Sequence, residues 1–169
     1  MKKIISFLFL SSFLFSCQAD KEMSSVNPVV WANRKANYNP IDSLISGSTY
    51  LSTYSEIYSQ NEHSTFSLTV TASIRNVNKE DTIYIDKAIY FNTKGDAIRS
   101  YFDHPIYISP METIEIVIDG KDIAGGTGGN FLFDWKTKPN VHEPLFEGVM
   151  ISTNGQLGIS FLTQGIRTK

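Results

Sequence analysis

The sequence has a single cysteine, Cys17, among 169 residues, so no disulfide framework can form within one chain. Histidines number three, His63, His104 and His142, and their spacing matches no zinc-binding pattern. Neither sign of charge dominates: 15 basic residues face 17 acidic ones, a formal net charge of -2. A chain without a basic excess lacks the field that draws proteins onto nucleic acid. Long apolar runs are missing too. The longest, Ile4 to Phe15, is broken by Ser6, Ser11 and Ser12 and falls well short of the roughly 20 residues a membrane-spanning helix needs.

What the sequence does hold begins at its N-terminus. Met1-Lys2-Lys3 places positive charge ahead of that short apolar run, the layout of an export signal. The run closes in Leu14-Phe15-Ser16-Cys17, which resembles the bacterial lipoprotein processing site; Phe15 is bulkier than that pattern's usual residue. Residues 1–16 therefore read as a signal peptide, and Cys17 as a lipidated residue whose partner is the membrane. The competing reading is an ordinary secretory signal cleaved elsewhere, with Cys17 discarded or left as a free thiol. A buried methylene contributes about 0.8 kcal/mol, so more than one acyl chain is needed for a durable anchor, and a lipidated N-terminal cysteine of this kind carries that. Without Lys2 and Lys3 the basic count falls from 15 to 13 against 17 acidic residues, a net charge of about -4.

The stretch Gln18 to Glu22 resembles the surface-export signal of Bacteroidetes lipoproteins. That implies the outer membrane of a bacterial envelope and leaves the periplasmic or surface face open. Residues 17–47 read as a flexible tether rich in Ser, Asn and Pro, with Trp31 and Tyr38 as aromatics suited to docking on the domain or on lipid headgroups. The folded domain is expected over 48–169.

Ile, Val and Thr make up 38 of the 153 residues from Cys17 onward, and such stiff branched side chains favour strands. Phe66, Leu68, Val70, Ala72 and Ile74 alternate with polar residues, the cleanest period of two in the chain. A strand over Thr82 to Asn92 is expected to set Ile83, Ile85, Ile89 and Phe91 on one face and Tyr84, Asp86, Ala88 and Tyr90 on the other. Gly95 and Asn154-Gly155 mark hairpin turns. Pro105 and Pro110 bracket an edge-like strand. Phe131, Phe133 and Trp135 line one face of a later strand. With no sustained helical period, seven or eight short strands predict an all-β, immunoglobulin-like antiparallel sandwich, with a small barrel as the alternative.

The order of parts is similar to bacterial immunoglobulin-like modules of desiccation-related proteins. Several segments together also resemble a bacterial family known as domain of unknown function 3124. These are Tyr54-Ser55, Ser73-Ile74-Arg75-Asn76, Tyr90 with Gly95, Ile98-Arg99-x-Tyr101 and Pro105 with Pro110. Gly125 to Phe131, Trp135, Glu147-x-Val149-Met150 and Gly158-Ile159-Ser160-Phe161 complete the set. The resemblance spans about Gly47 to Ile166. The chain departs from it at Ser52, where the family usually carries Pro, and at Gly129, where it favours Ala. It implies export and often lipid anchoring, and it supplies no activity, cofactor or catalytic residue.

Two groups of residues stand out as candidate binding sites. Gly126, Thr127, Gly128 and Asn130 lie in a glycine-rich loop whose backbone N–H groups have the form of an anion cradle. No Gly-Lys-Ser/Thr follows, however, and the loop runs into a strand rather than a helix N-terminus. The bland reading is a loop that needs positive φ or close backbone approach. Arg75 and Arg99, flanked by Tyr84, Tyr90 and Tyr101, form the second candidate, an anion- or partner-recognition patch; its plain alternative is a cross-strand ion pair with Asp86 or Asp103 near Arg99. Asp103-His104 and His142 with Glu147 could converge on a metal if their loops meet, and Glu112, Glu143 and Glu147 could supply paired carboxylates for acid–base work; the plain alternative for all of them is solvated surface side chains. No metal or cofactor is expected. The reading is a non-enzymatic envelope lipoprotein that binds an envelope protein or glycan. The alternative is a small envelope hydrolase or glycan-processing accessory subunit.

Overall fold

The computed structural model describes residues 31–38, 43–153 and 158–169. Cys17, the signal segment and Asn154-Gly155 lie outside the described residues. Twelve strands are present among those described: β1 (Ile45–Ser52), β2 (Glu56–Ser59), β3 (Asn61–Ser67), β4 (Thr69–Arg75), β5 (Ile83–Phe91) and β6 (Ala97–Ser100). They continue as β7 (Ile106–Ile108), β8 (Thr113–Ile118), β9 (Asn130–Thr137), β10 (Leu145–Ser152), β11 (Ile159–Gln164) and β12 (Ile166–Arg167). One sheet runs β12-β1-β9-β5-β6, with β7 also on β5; the other runs β11-β10-β4-β8; β2 and β3 form a separate hairpin. Every pairing is antiparallel. The two larger sheets pack as a sandwich, and no barrel closes.

The count exceeds the expected seven or eight in part because two expected strands break and because β12 follows the last expected strand. Thr49 to Tyr58 splits at Thr53–Ser55 into β1 and β2. Phe66 to Arg75 splits at Leu68, whose N–H bonds Ser55 O at 2.8 Å. Upstream of that break the chain has left the sandwich, so Phe66, expected inside with Leu68, is exposed on the hairpin.

The core forms where the two periods of two meet. Leu68, Val70, Ala72 and Ile74 face Ile83, Ile85, Phe131, Phe133 and Trp135, all buried. A run of rings crosses from sheet to sheet: Tyr90 to Phe131 at 4.8 Å, Phe131 to Phe133 at 5.3 Å, and Phe133 to Phe146 at 4.6 Å between centroids. Stacks at these separations add to burial rather than merely accompanying it. Gly47 stands opposite Trp135 in register, and any Cβ there would collide with the indole.

One irregularity decides where the site residues point. On β5, Ile85 pairs with Trp135 and Lys87 with Asp134, so Asp86 is an extra residue in the ladder. A bulge of this kind switches every later side chain to the opposite face. Ile83 and Ile85 face inward before it; Ala88 and Tyr90 face inward after it. The expected face of Ile83, Ile85, Ile89 and Phe91 is therefore corrected at its midpoint, and Tyr90 lies in the core.

Residues 31–38, within the stretch read as tether, dock on this frame. Trp31 is buried against Phe102 at 5.5 Å. Lys35 bridges to Ile106, and Ala36 N–H bonds Pro105 O at 2.8 Å. Arg34 pairs with Glu112 at 2.7 Å. The domain's own contacts thus reach back to Trp31, well ahead of position 48.

Candidate functional site

The structure divides the candidate residues among three places. Tyr90, Arg99 and Tyr101 gather with the glycine loop at one end of the sandwich. Tyr90 and Arg99 are cross-strand partners on β5 and β6, which puts both side chains on the inner face. The Arg99 guanidinium lies 5.9 Å from the Tyr90 ring centre and 6.0 Å from that of Tyr101. It donates to Asp122 Oδ2 at 2.8 Å and to the Tyr101 hydroxyl at 3.3 Å. Asp122, not Asp86 or Asp103, is the partner of Arg99. Its side chain is 2% exposed against 19% for Arg99.

Burial pulls the Arg99 pKa down, but the bonds with Tyr101 and Asp122 outweigh it and the net shift is upward. Tyr101 is pushed up to about 12, chiefly by burial. Burial likewise raises Tyr90, whose hydroxyl lies 3.1 Å from Ser55 Oγ. Tyr90 and Tyr101 are therefore neutral, core-facing side chains and not members of a surface face.

The glycine loop closes over the same spot. Its carbonyls accept inward: Gly125 O from Thr93 N–H and hydroxyl, both at 3.0 Å, Gly126 O from Ser55 N–H at 3.2 Å, and Gly129 O from Thr53 N–H at 2.9 Å. Two of its amides are likewise engaged, Gly126 N–H by Ile123 O and Gly128 N–H by Thr93 Oγ1, each at 2.9 Å. Gly126 has φ of 68°, the left-handed region that suits glycine. Gly125 is different. Its φ of -69° and ψ of -28° suit any residue, yet a Cβ there would lie 2.6 Å from both Ser55 Oγ and Tyr90 Cζ, and nearer still to the phenol oxygen. The loop's backbone is thus spent on bracing the sandwich end. Thr127 is half-exposed at its crest, and Asn130 opens β9 on the outer face.

Arg75 stands apart from Arg99, on the outer face of the other sheet. It pairs with Glu147 across β4 and β10 at 2.7 Å; Leu145 is its register partner. The two arginines do not form one patch. Glu112, Glu143 and Glu147 are likewise separated, each paired with an arginine: Arg34, Arg167 and Arg75. The bond from Arg34 holds the Glu112 carboxyl below its ordinary pKa. His104 meets the Asp103 carboxylate and the Trp31 carbonyl, and the His142 backbone is bonded to Asn78. Among the described residues no group of three His, Cys, Asp or Glu side chains is placed to hold a metal.

Tyr84 alone of the expected tyrosines sits where a ligand can reach it. It is half-buried on the outer face of the six-stranded sheet, 5.1 Å from the ring of Tyr38. Asp86, the bulged residue, lies on this same face. Tyr38 donates to Asp86 Oδ1 at 2.9 Å, while Lys136 bonds both the Tyr38 hydroxyl at 2.7 Å and Asp86 Oδ2 at 2.8 Å. Burial lowers the Lys136 pKa, but its bonds to Asp86 and Tyr38 prevail and raise it, so the ammonium stays charged. Beside this cluster lies a hollow of about 240 Å³ lined by Ser46, Ser48, Asp86, Lys87, Asp134 and Lys169.

Sequence reasoning missed Asp122, Ser55, Tyr38's bonds and the hollow. Asp122 carries one local signal, an Asx turn to Ala124 N–H at 3.3 Å; nothing local points from it to Arg99.

A sandwich braced internally at one end and open on a face of rings, carboxylates and ammonium groups is a small antiparallel all-β module. The chain belongs to the DUF3124 family: the model described as "Protein of unknown function (DUF3124)" matches residues 46–168. No curated protein matches it. A crystal structure of Thermotoga maritima 1070 is similar at 12% identity and a TM-score of 0.45, covering 71% of this chain and 92% of that one.

Proposed function

We propose that the protein is a non-enzymatic lipoprotein of the bacterial cell envelope, held to the outer membrane through Cys17, and that its sandwich binds an envelope protein or glycan. The binding face in this reading is the outer side of the six-stranded sheet around Tyr84, Tyr38, Asp86 and Lys136. The observation that carries it is the half-buried Tyr38–Tyr84 pair set beside the Asp86–Lys136 ion pair and the adjoining hollow. Rings with fixed polar partners cover area at little entropic cost and discriminate by hydrogen bonding, as protein- and sugar-binding surfaces do. The anchor is supported by Leu14-Phe15-Ser16-Cys17 behind a charged and apolar start.

Two experiments on intact cells test this. Metabolic labelling with a fatty-acid analogue should mark the wild type and leave Cys17→Ala unmarked; equal label on both refutes the anchor. Crosslinked capture should recover an envelope protein or glycan that a Tyr84→Ala/Lys136→Ala variant loses. Identical recovery by both forms would remove this face from the reading.

A further inference from the structure

We propose that the protein pairs with a second copy of itself through β11, the two β11 strands running antiparallel so that two four-stranded sheets become one of eight strands. This inference does not depend on the membrane anchor or on the tyrosine-bearing face.

The sandwich has four strand edges, and three are defended in ways that block further pairing. β12 is only two residues long and carries Arg167. On β6 and β7 the strands span four and three residues; Arg99 lies in one, and the other is bracketed by Pro105 and Pro110 and crossed by the Lys35 bridge. β8 carries Glu115 and is flanked by Glu112 and Asp119. β11 has none of these devices. It is six residues, Ile-Ser-Phe-Leu-Thr-Gln, without charge or proline, and its register with β10 is unbroken from Ser152–Ile159 to Glu147–Gln164. No strand pairs with its other side among the described residues.

The choice of a second copy follows from charge. A twofold contact sets each residue near its own equivalent, so any charge close to the axis meets its like. Between Glu147 and Arg167 the sequence holds 19 consecutive residues with no charged side chain, in a chain that is 19% charged. β11 lies inside that stretch. A twofold axis perpendicular to the sheet keeps both inner faces on one side, so residues of like parity oppose each other. With Leu162 against Leu162 of the second copy, Phe161 faces Thr163 and Ser160 faces Gln164. All are apolar or neutral pairs, joined by about six new backbone hydrogen bonds.

The outer-face geometry agrees. Leu162 is 70% exposed, the most exposed of the large apolar side chains described. It opposes Val149, which opposes Thr71, which opposes Val117. Pairing would extend this row across the axis and cover its one protruding member. On the inner side Phe161 is already held by the Tyr54 ring at 5.7 Å, so the strand arrives pre-shaped for addition.

The test uses the full chain in detergent, measured by sedimentation equilibrium over a concentration series. The wild type should pass from monomer to dimer. Leu162→Lys places like charges face to face and should weaken the dimer by at least about tenfold, with an unchanged circular-dichroism spectrum. Should that variant misfold, Ser160→Lys on the same outward side replaces it. Shared micelles would not respond to either substitution. Leu162→Cys should form an oxidative crosslink between copies, whereas Thr113→Cys on β8 should stay at the background set by the wild type, whose one cysteine is Cys17. A wild type monomeric at every concentration, a dimer indifferent to the lysine, or equal crosslinking at both edges would overturn the proposal.

Discussion

Replacing Gly125 by alanine isolates one physical cause with unusual clarity. The backbone there sits at φ -69° and ψ -28°, so alanine meets no conformational strain and the whole penalty is steric. The new methyl would lie 2.6 Å from Ser55 Oγ and Tyr90 Cζ, about 1 Å inside ordinary contact. Neither neighbour can retreat: Tyr90 is fully buried and stacked on Phe131, and Ser55 is held by its bonds to Gly126 O and Leu68 N–H. Forcing a methylene into such a place costs typically 1–3 kcal/mol, and the immobility of both neighbours puts Gly125→Ala at about 3 kcal/mol. For a chain of this length that lowers Tm by about 6–12 °C.

Two other glycines calibrate the measurement. Gly95 has φ of 86° with nothing within 4 Å of its Cβ position, so its alanine variant pays backbone strain alone, about 1 kcal/mol. Gly158 has neither strain nor a close neighbour, so its alanine variant should be neutral or slightly stabilising. Calorimetric or dichroism melts of the three should rank Gly158→Ala above Gly95→Ala above Gly125→Ala. A Gly125→Ala variant as stable as Gly95→Ala would refute the close approach of loop and tyrosine, and with it the account of why glycine stands there.

Asp122→Asn should destabilise the fold by about 2–4 kcal/mol in urea melts, because it leaves the mostly buried Arg99 without its counter-charge. Arg75→Ala should change stability by no more than about 1 kcal/mol in the same assay, since its pair with Glu147 is far more open to water. In alkaline titration Tyr101 should ionise late, near its raised value of about 12. Its neutral form is favoured by the fold, so that contribution is complete below the ordinary value of 10 and drains away as pH rises toward 12. The loss is of order 2 kcal/mol and readable as a falling urea midpoint over that range; a midpoint flat across it would contradict the burial of this hydroxyl.

Much of the fold was legible because burial and pleat impose the same period. Val70, Ala72 and Ile74 alternate in sequence and alternate in the core, as do Phe131, Phe133 and Trp135. Pro105 and Pro110 marked an edge, and β7 is one. Tyr90 was placed on the wrong side because a single extra residue, Asp86, inverts the pattern, and a bulge leaves no trace in hydropathy. Asp86 itself keeps the outward side it shares with Tyr84, and only the residues after it are inverted. The glycine run suggested close approach without naming what it approaches. Asp122 was illegible as the partner of Arg99, since ion pairing across 23 residues depends on where two loops come to rest. Of the candidate residues, Tyr90, Arg99 and Tyr101 gather beside the glycine loop, whereas Arg75 and Tyr84 lie on other faces.

The docked segment from Trp31 to Tyr38 has a practical meaning for anyone cutting this chain. A fragment begun at Ser48, already inside β1, would strip the indole from Phe102, the guanidinium from Glu112 and the phenol from Lys136 and Asp86. Such a fragment would present raw apolar surface and, at Glu112, a stranded carboxylate that the intact chain never shows. Recombinant versions should begin ahead of Trp31, where the clasp is kept whole.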